Sequence, residues 1–195
     1  RTVIELRSMD LVRQTIARYV QPTEAEWATI LPPWHEYAFS RGSIICGVGQ
    51  VEERFYIVRH GVQRLSFPHD GNDIAVGFAY DGSWCGEYAS FVSRKPARFQ
   101  VMAVTDSVLV GIAYNDLQRL YTELKVMERF GRLILEELLL GRAVREVEQL
   151  SLSAEERYDR LVQRSPQLLQ LVPQKDIASY LRMTPETFSR LRRKR

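Results

Sequence analysis

Gln174-Lys175-Asp176-Ile177-Ala178-Ser179-Tyr180-Leu181-Arg182-Met183-Thr184-Pro185-Glu186-Thr187-Phe188-Ser189-Arg190-Leu191-Arg192-Arg193-Lys194-Arg195 reads as two helices separated by a break. Ile177, Ala178 and Leu181 share one face of the first, and Arg182-Met183-Thr184 interrupts the period. Thr184 is placed to cap the second helix with its hydroxyl. Pro185 falls at the first helical position, where a missing N–H costs nothing. Phe188 and Leu191 point inward, three apart, leaving Glu186, Ser189, Arg190, Arg193 and Lys194 outside. Two short helices with hydrogen-bonding residues at the start of the second and cations further along suit reading of a DNA major groove.

Working outward, charge follows the same division. Residues 151–195 hold ten Lys/Arg against five Asp/Glu, whereas residues 1–150 hold seventeen against nineteen. The formal net charge of +3 therefore conceals a basic end on a mildly acidic body, as expected when one part meets phosphate and the other does not. A solvated, frayed terminus is the plainer account of the run from Arg190 to Arg195.

Upstream, Ser153-Ala154-Glu155-Glu156 is a capping box opening a helix to about Arg164, and Gln167–Leu171 is a short helical piece between Pro166 and Pro173. From about Lys125 to Leu150 the pattern predicts one long amphipathic helix. Val126, Phe130, Leu133, Leu140, Val144 and Val147 form a seam that only Glu137 interrupts, and Ile134 and Leu138 widen it. One side is expected to pack on its own domain and the other to form a dimer seam; a single wide core face is the alternative. Between about Trp34 and Ile112 the texture is short β-type runs punctuated by glycine. Strands are predicted at Tyr37–Phe39, Ser43–Cys46, Arg54–Arg59, Gly61–Phe67, Asp73–Ala79, Phe99–Ala103 and Ser107–Ile112, arranged as a barrel or jelly roll. Ile4, Leu11, Ile16 and Tyr19 indicate a preceding helix, and Thr23 with Glu26 a second capping box before Pro32-Pro33. The expected fold class is α+β: an antiparallel barrel or jelly roll, a long helix and a terminal helix-turn-helix.

Several function classes find little support. The chain has two cysteines, Cys46 and Cys85, without metal-ligand spacing, and three histidines, His35, His60 and His69, that do not cluster. No catalytic set can be assembled, so an enzyme is not expected, nor is a metal. No apolar run approaches the ~20 residues that span a bilayer, and no secretory leader is read, so no membrane partner and a cytoplasmic location are expected.

The order of parts resembles the Crp/Fnr family of bacterial transcription regulators. The resemblance is carried by Asp81-Gly82-Ser83-Trp84-Cys85-Gly86-Glu87-Tyr88, which looks like the entry to that family's phosphate-binding cassette. It is carried also by the long helix followed by Leu152-Ser153-Ala154-Glu155-Glu156-Arg157-Tyr158, and by the terminal helix pair. It implies N-terminal helices and a cyclic-nucleotide-binding-like antiparallel β-roll over 1–115, a dimerisation helix over 116–150 and a winged helix-turn-helix DNA-binding domain over 151–195. The implied partners are a second copy of the chain, double-stranded DNA bearing a palindrome, and RNA polymerase. Family members continue for some residues past the position of Arg195, so the natural protein is expected to be longer.

Glu186-Thr187-Phe188-Ser189-Arg190 is similar to the Fnr-type recognition pattern, which implies a TTGAT-like half-site. Arg190 can fork onto guanine, Glu186 can accept from a cytosine amino group, and Ser189 can meet a base or phosphate. Thr184, Thr187, Arg193 and Lys194 complete the expected contacts. A dipole-favoured acid for Glu186 and a phosphate contact for Arg190 are the plainer alternatives. Pro185 stands where the Crp branch places another base-reading arginine, and Arg182 where the turn often has glycine.

For the effector, the resemblance implies Gly86, Glu87 and Tyr88, with an arginine ten residues after the glutamate to pair with a cyclic phosphate. Here that position is Ala97, and Arg98 follows it. On an extended segment one residue of shift turns a side chain to the other face, although a bulge near Pro96 could restore it. The cofactor is therefore unknown, and cyclic AMP is less expected than another ligand or none. Arg94 and Lys95 could also supply charge, but a solvated loop is the plainer account. Trp84, Tyr88 and Phe91 are read as core before ligand stackers. The rival reading is a ligand-binding dimeric module without specific DNA recognition.

Overall fold

The computed structural model describes residues 3–194, with side chains from Arg7 onward. The Ile4 side chain and Arg195 lie outside the described residues. Helix α1 (Val3–Ala17) buries Val12 and Ile16, one turn apart, so its apolar face meets the body of the chain. Thr23 begins α2 (Glu24–Ile30) through a reciprocal cap. Its hydroxyl accepts from Glu26 N at 3.3 Å, and Glu26 Oε2 accepts from Thr23 N at 2.7 Å. Such a cap is worth about 1 kcal/mol.

Eight strands then fold into two four-stranded antiparallel sheets. They are β1 (Trp34–Phe39), β2 (Ile44–Cys46), β3 (Arg54–His60), β4 (Gln63–His69), β5 (Asn72–Ala79), β6 (Trp84–Cys85), β7 (Gln100–Ala103) and β8 (Ser107–Ala113). One sheet runs β1-β8-β3-β6 and the other β2-β7-β4-β5. The strand expected from Gly61 begins at Gln63, because Gly61 and Val62 make the corner between β3 and β4. Gly61 has φ +96°, and a Cβ there would stand 2.5 Å from Asp106 O and from Ser107 Oγ, so only glycine fits. Two elements were not expected: β6, too short to show a period, and α3 (Tyr88–Ser93), which makes the cassette region helical.

β3 and β8 are buried on both faces: Phe55, Ile57, Val110 and Ile112 point into the main core with Trp27, Trp34 and Phe91, while Tyr56, Val58 and Leu109 point into a second cluster. Phe55 stacks on Trp84 at 4.7 Å between centroids, and Phe91 is 2% exposed, which commits both Trp84 and Phe91 to packing. This core is closed by α4 (Tyr114–Glu123) and the first part of α5 (Lys125–Ser151). Gly131 lets α4 and α5 approach, since a Cβ there would fall 2.7 Å from the Tyr121 ring.

The 27 residues of α5 span about 40 Å at 1.5 Å per residue. Met127, Phe130 and Ile134 are buried under the roll, and Glu137, where the seam is interrupted, accepts the Tyr19 hydroxyl at 2.7 Å. Beyond that point Leu140, Val144, Val147 and Leu150 are exposed by 55–82%. The apolar stripe thus does two different things along its length.

Four helices follow: α6 (Ala154–Arg164), α7 (Leu168–Leu171), α8 (Gln174–Tyr180) and α9 (Pro185–Arg193). Ser153 and Glu156 form the expected capping box. No strand among the described residues follows Ala113, so the expected wing is not found among them. Tyr158, Leu161, Leu168, Ile177, Phe188 and Leu191 share one apolar cluster with Val62 and Val104 of the roll. The same junction holds a buried ion pair: Arg64 on β4 donates to Asp176 of α8 at 2.7 Å and to Asp73 of β5 at 2.9 Å. Ser179 Oγ accepts from Ala75 N at 3.0 Å, so α8 caps a backbone donor on the outer strand of that sheet.

Candidate functional site

The break between α8 and α9 is built by Arg182, which takes a left-handed conformation (φ +55°), and by Met183 N donating to Ala178 O at 3.0 Å. Arg157, a residue sequence reasoning did not single out, holds this turn. Its Nε donates to Leu181 O at 2.7 Å and its Nη2 to Arg182 O at 3.3 Å, while Nη1 reaches Leu152 O at 2.5 Å. A single guanidinium thus ties the turn to the end of α5.

Thr184 Oγ1 accepts from Thr187 N at 3.2 Å, and Pro185 is the first residue of α9. Phe188 and Leu191 are buried; Glu186, Arg190, Arg193 and Lys194 are exposed, and Thr187 and Ser189 are half-buried. The seven residues expected to meet DNA therefore occupy α9 and its two flanking positions, and none is buried. Hydrogen bonds from its own backbone N–H and from the Thr184 hydroxyl hold the Glu186 carboxyl below the usual carboxylate range. It is consequently an ionised acceptor at neutral pH. Ser189 Oγ accepts from Arg193 at 3.1 Å, while the exposed Arg190 guanidinium has no hydrogen bond or ion pair among the described residues.

A cavity of about 540 Å³ lies between β4, β5, the β6–α3 entry and α5. Gly86, Glu87 and Tyr88 line it as expected from their order in the chain, but Arg98 does not. Its guanidinium sits 5.8 Å from the centre of the Phe67 ring: Arg98 and Phe99 form a bend ahead of β7, and that bend does not turn the Arg98 side chain into the cavity. Glu87 is also engaged otherwise. Its carboxylate caps α3 by accepting from Ser90 N, and its own N–H donates to Glu52 Oε2 at 3.2 Å. Arg94, expected in a solvated loop, instead donates to Glu52 O at 2.7 Å and Glu53 at 2.8 Å, over the Tyr114 ring. As placed, the cassette does not fit a cyclic phosphate, because none of its cations reaches the cavity.

Beneath the cassette, burial pushes the Glu52 carboxyl above the ordinary carboxylate value, opposed by backbone N–H groups of Glu87 and Arg54. Burial likewise pushes the Cys46 and Cys85 thiols up to about 12, which makes both poor nucleophiles. His60 and His69 are exposed beside Asp81 and Asp70. Four groups that the sequence reading overlooked belong to the cavity: Gln63, Arg142, Arg145 and Arg182. Arg142 and Arg145 stand three apart on the long helix, a spacing that could have flagged a common cationic face.

Residues 36–123 match the family described as "Cyclic nucleotide-binding domain". Comparison with curated protein sequences finds no match. Among solved structures, FixK2 from Bradyrhizobium japonicum superposes with TM-score 0.68 at 19% identity, covering 83% of each chain. CLP of Xanthomonas campestris, titled a c-di-GMP responsive global regulator, gives 0.63 at 16%, covering 88% of this chain and 91% of that one. The Thermus thermophilus Catabolite Activator Protein gives 0.57 at 20%, covering 92% and 85%. The likeness extends from the roll through the long helix into the terminal helices.

Proposed function

We propose a homodimeric transcription regulator of Crp/Fnr type that reads DNA through α9; the match of residues 36–123 to a cyclic nucleotide-binding domain and the likeness of fold to FixK2, CLP and the Catabolite Activator Protein support this reading. In this reading residues 1–115 are the sensor, 116–150 the dimerisation helix and 151–195 the reader. The observation that carries it is the capped α9 itself: its apolar side is fully committed to the core, while Glu186 and Arg190 project from an otherwise basic outer face. Glu186 supplies an acceptor for a cytosine amino group and Arg190 a fork for guanine O6 and N7. Arg193 and Lys194 are suited to phosphate, and their contribution falls with salt. The uncovered half of α5 is the dimer seam, and a palindromic site follows from the two-fold relation between two α9 helices. A shift of α5 caused by an occupant of the roll would change the spacing of those helices. Contact with RNA polymerase and a cytoplasmic location belong to the same reading.

The test is fluorescence anisotropy of a labelled palindromic duplex with TTGAT half-sites against a scrambled duplex, at two salt concentrations. Selective binding is expected, with Arg190→Ala losing about 1–3 kcal/mol of discrimination. Equal, salt-erased binding to both duplexes would favour the rival, a ligand-binding dimeric module without sequence recognition.

A further inference from the structure

The cavity is lined on the sheet side by small and apolar residues, including Leu65, Ala75 and Val101, and on the helix side by Leu135, Leu138 and Leu139. Its cations do not come from the cassette. They are Arg142 and Arg145 of α5 and Arg182 of the turn between α8 and α9. None of the three guanidinium groups has a hydrogen bond or ion pair among the described residues, whereas Arg132 and Arg164, on α5 and α6, pair with Glu136 and Glu148. Gly77 on β5 gives Arg145 its place: Nη1 lies 3.7 Å from where a Cβ would stand. Two carboxylates also line the cavity, Glu146 at its exposed side and Glu87, whose Oε2 caps α3. Deeper in, Gln63 is 1% exposed and donates from Nε2 to Ser107 Oγ at 3.0 Å, while its Oε1 has no partner among the described residues. A buried amide oxygen without a donor costs free energy that a ligand N–H or O–H would recover.

Arg182 adds a separate argument. Its φ of +55° is a conformation that glycine adopts without cost and that a branched or long side chain pays to hold. A turn needs no side chain there, yet this one carries a cation into the cavity.

We propose that the cavity binds an organic anion with a flat apolar body, its charge held by Arg142, Arg145 and Arg182 and a polar edge donating to Gln63. The ligand thereby enters in the opposite sense to one whose anion sits in the cassette. It also touches the DNA-reading turn directly, bridging roll, long helix and turn through one charge. This deepens the proposed function and rests on it only for the effect on DNA; ligand capture is a property of the chain alone.

The probe is 8-anilinonaphthalene-1-sulfonate, an aryl sulfonate of suitable size, titrated by fluorescence into the full chain, with far-UV circular dichroism on every variant to establish folding. One saturable site per chain is expected, weakened at least tenfold in Arg142→Gln/Arg145→Gln and at least threefold in Arg182→Gln, and unchanged in Arg98→Gln. Cyclic AMP is added as a competitor. Wild-type affinity in the folded double variant, absence of saturable binding, or competition by cyclic AMP that Arg98→Gln abolishes would each overturn the assignment. Saturating probe is further expected to change duplex affinity at least threefold in the wild type but not in Arg182→Gln. Probe binding without selective duplex binding would leave the cavity assignment standing and remove the DNA reading. Selective duplex binding without probe capture would do the reverse.

Discussion

At Arg182 two demands on one residue pull in opposite directions. The left-handed backbone favours glycine, while the cavity uses the guanidinium. Relief of the backbone cost is worth roughly 1 kcal/mol, which for a chain of this length corresponds to a rise of about 2–4 °C in Tm. Arg182→Gly is therefore expected to melt higher by calorimetry while binding the aryl sulfonate more weakly. A variant that melts lower would show that the side chain contributes to the fold. Glu52 makes a comparable case for pH. Its carboxyl is raised by burial above the ordinary 4.5, so between these two values the folded chain keeps a proton that the unfolded chain has lost. Stability consequently falls as pH rises through that window and stays reduced above it. Glu52→Gln has no charge to bury, so its stability relative to wild type in urea unfolding should be more favourable at pH 8 than at pH 5. An equal difference at both would mean that the carboxylate is as well solvated folded as unfolded.

Among the elements, α5 shows most directly how far a period can be read. Its length, its seam and the interruption at Glu137 were all legible, because 3.6-residue spacing persists over many turns. The pattern does not encode where one neighbour ends and another must begin. That boundary falls near Leu138, and past it Leu139, Leu140, Val144, Val147 and Leu150 remain uncovered. An exposed apolar stripe of that length marks a contact surface. Sedimentation of Leu140→Asp/Val144→Asp is expected to give a monomer from a dimeric wild type, and a variant that remains dimeric would move the seam elsewhere. The cassette was less legible for the opposite reason. Two strand residues and six helical ones are too few to establish a period, and the fate of Arg98 depended on a register that no local signal fixes. Caps, by contrast, are local chemistry: Thr23, Ser153 and Thr184 each accept from the N–H three residues on.

For the molecule as a whole, the order of parts was readable, but the joints between them were not. Arg64 and Asp176 lie 112 residues apart, and neither has a neighbour in sequence that announces the other. Arg157, which clasps both the end of α5 and the turn, looks in the sequence like one more surface cation on an amphipathic helix. The cavity likewise draws its wall from six separated stretches, so the cations that face it could be found only after folding. Long-range pairing of this kind is set by topology, and periodicity carries no information about it.

The shared cluster of Val62 and Val104 with Tyr158, Leu161 and Phe188 bears on how such a protein could be recombined. Its terminal helices are not a detachable cartridge. A chimera joining this roll to another reader at the end of α5 would inherit a raw apolar scar on the β3–β4 and β7–β8 corners, with Arg64 stranded beside it. If α9 reads DNA as proposed, its specificity is therefore exchanged most easily by changing the outward residues of that helix, and least easily by trading whole modules.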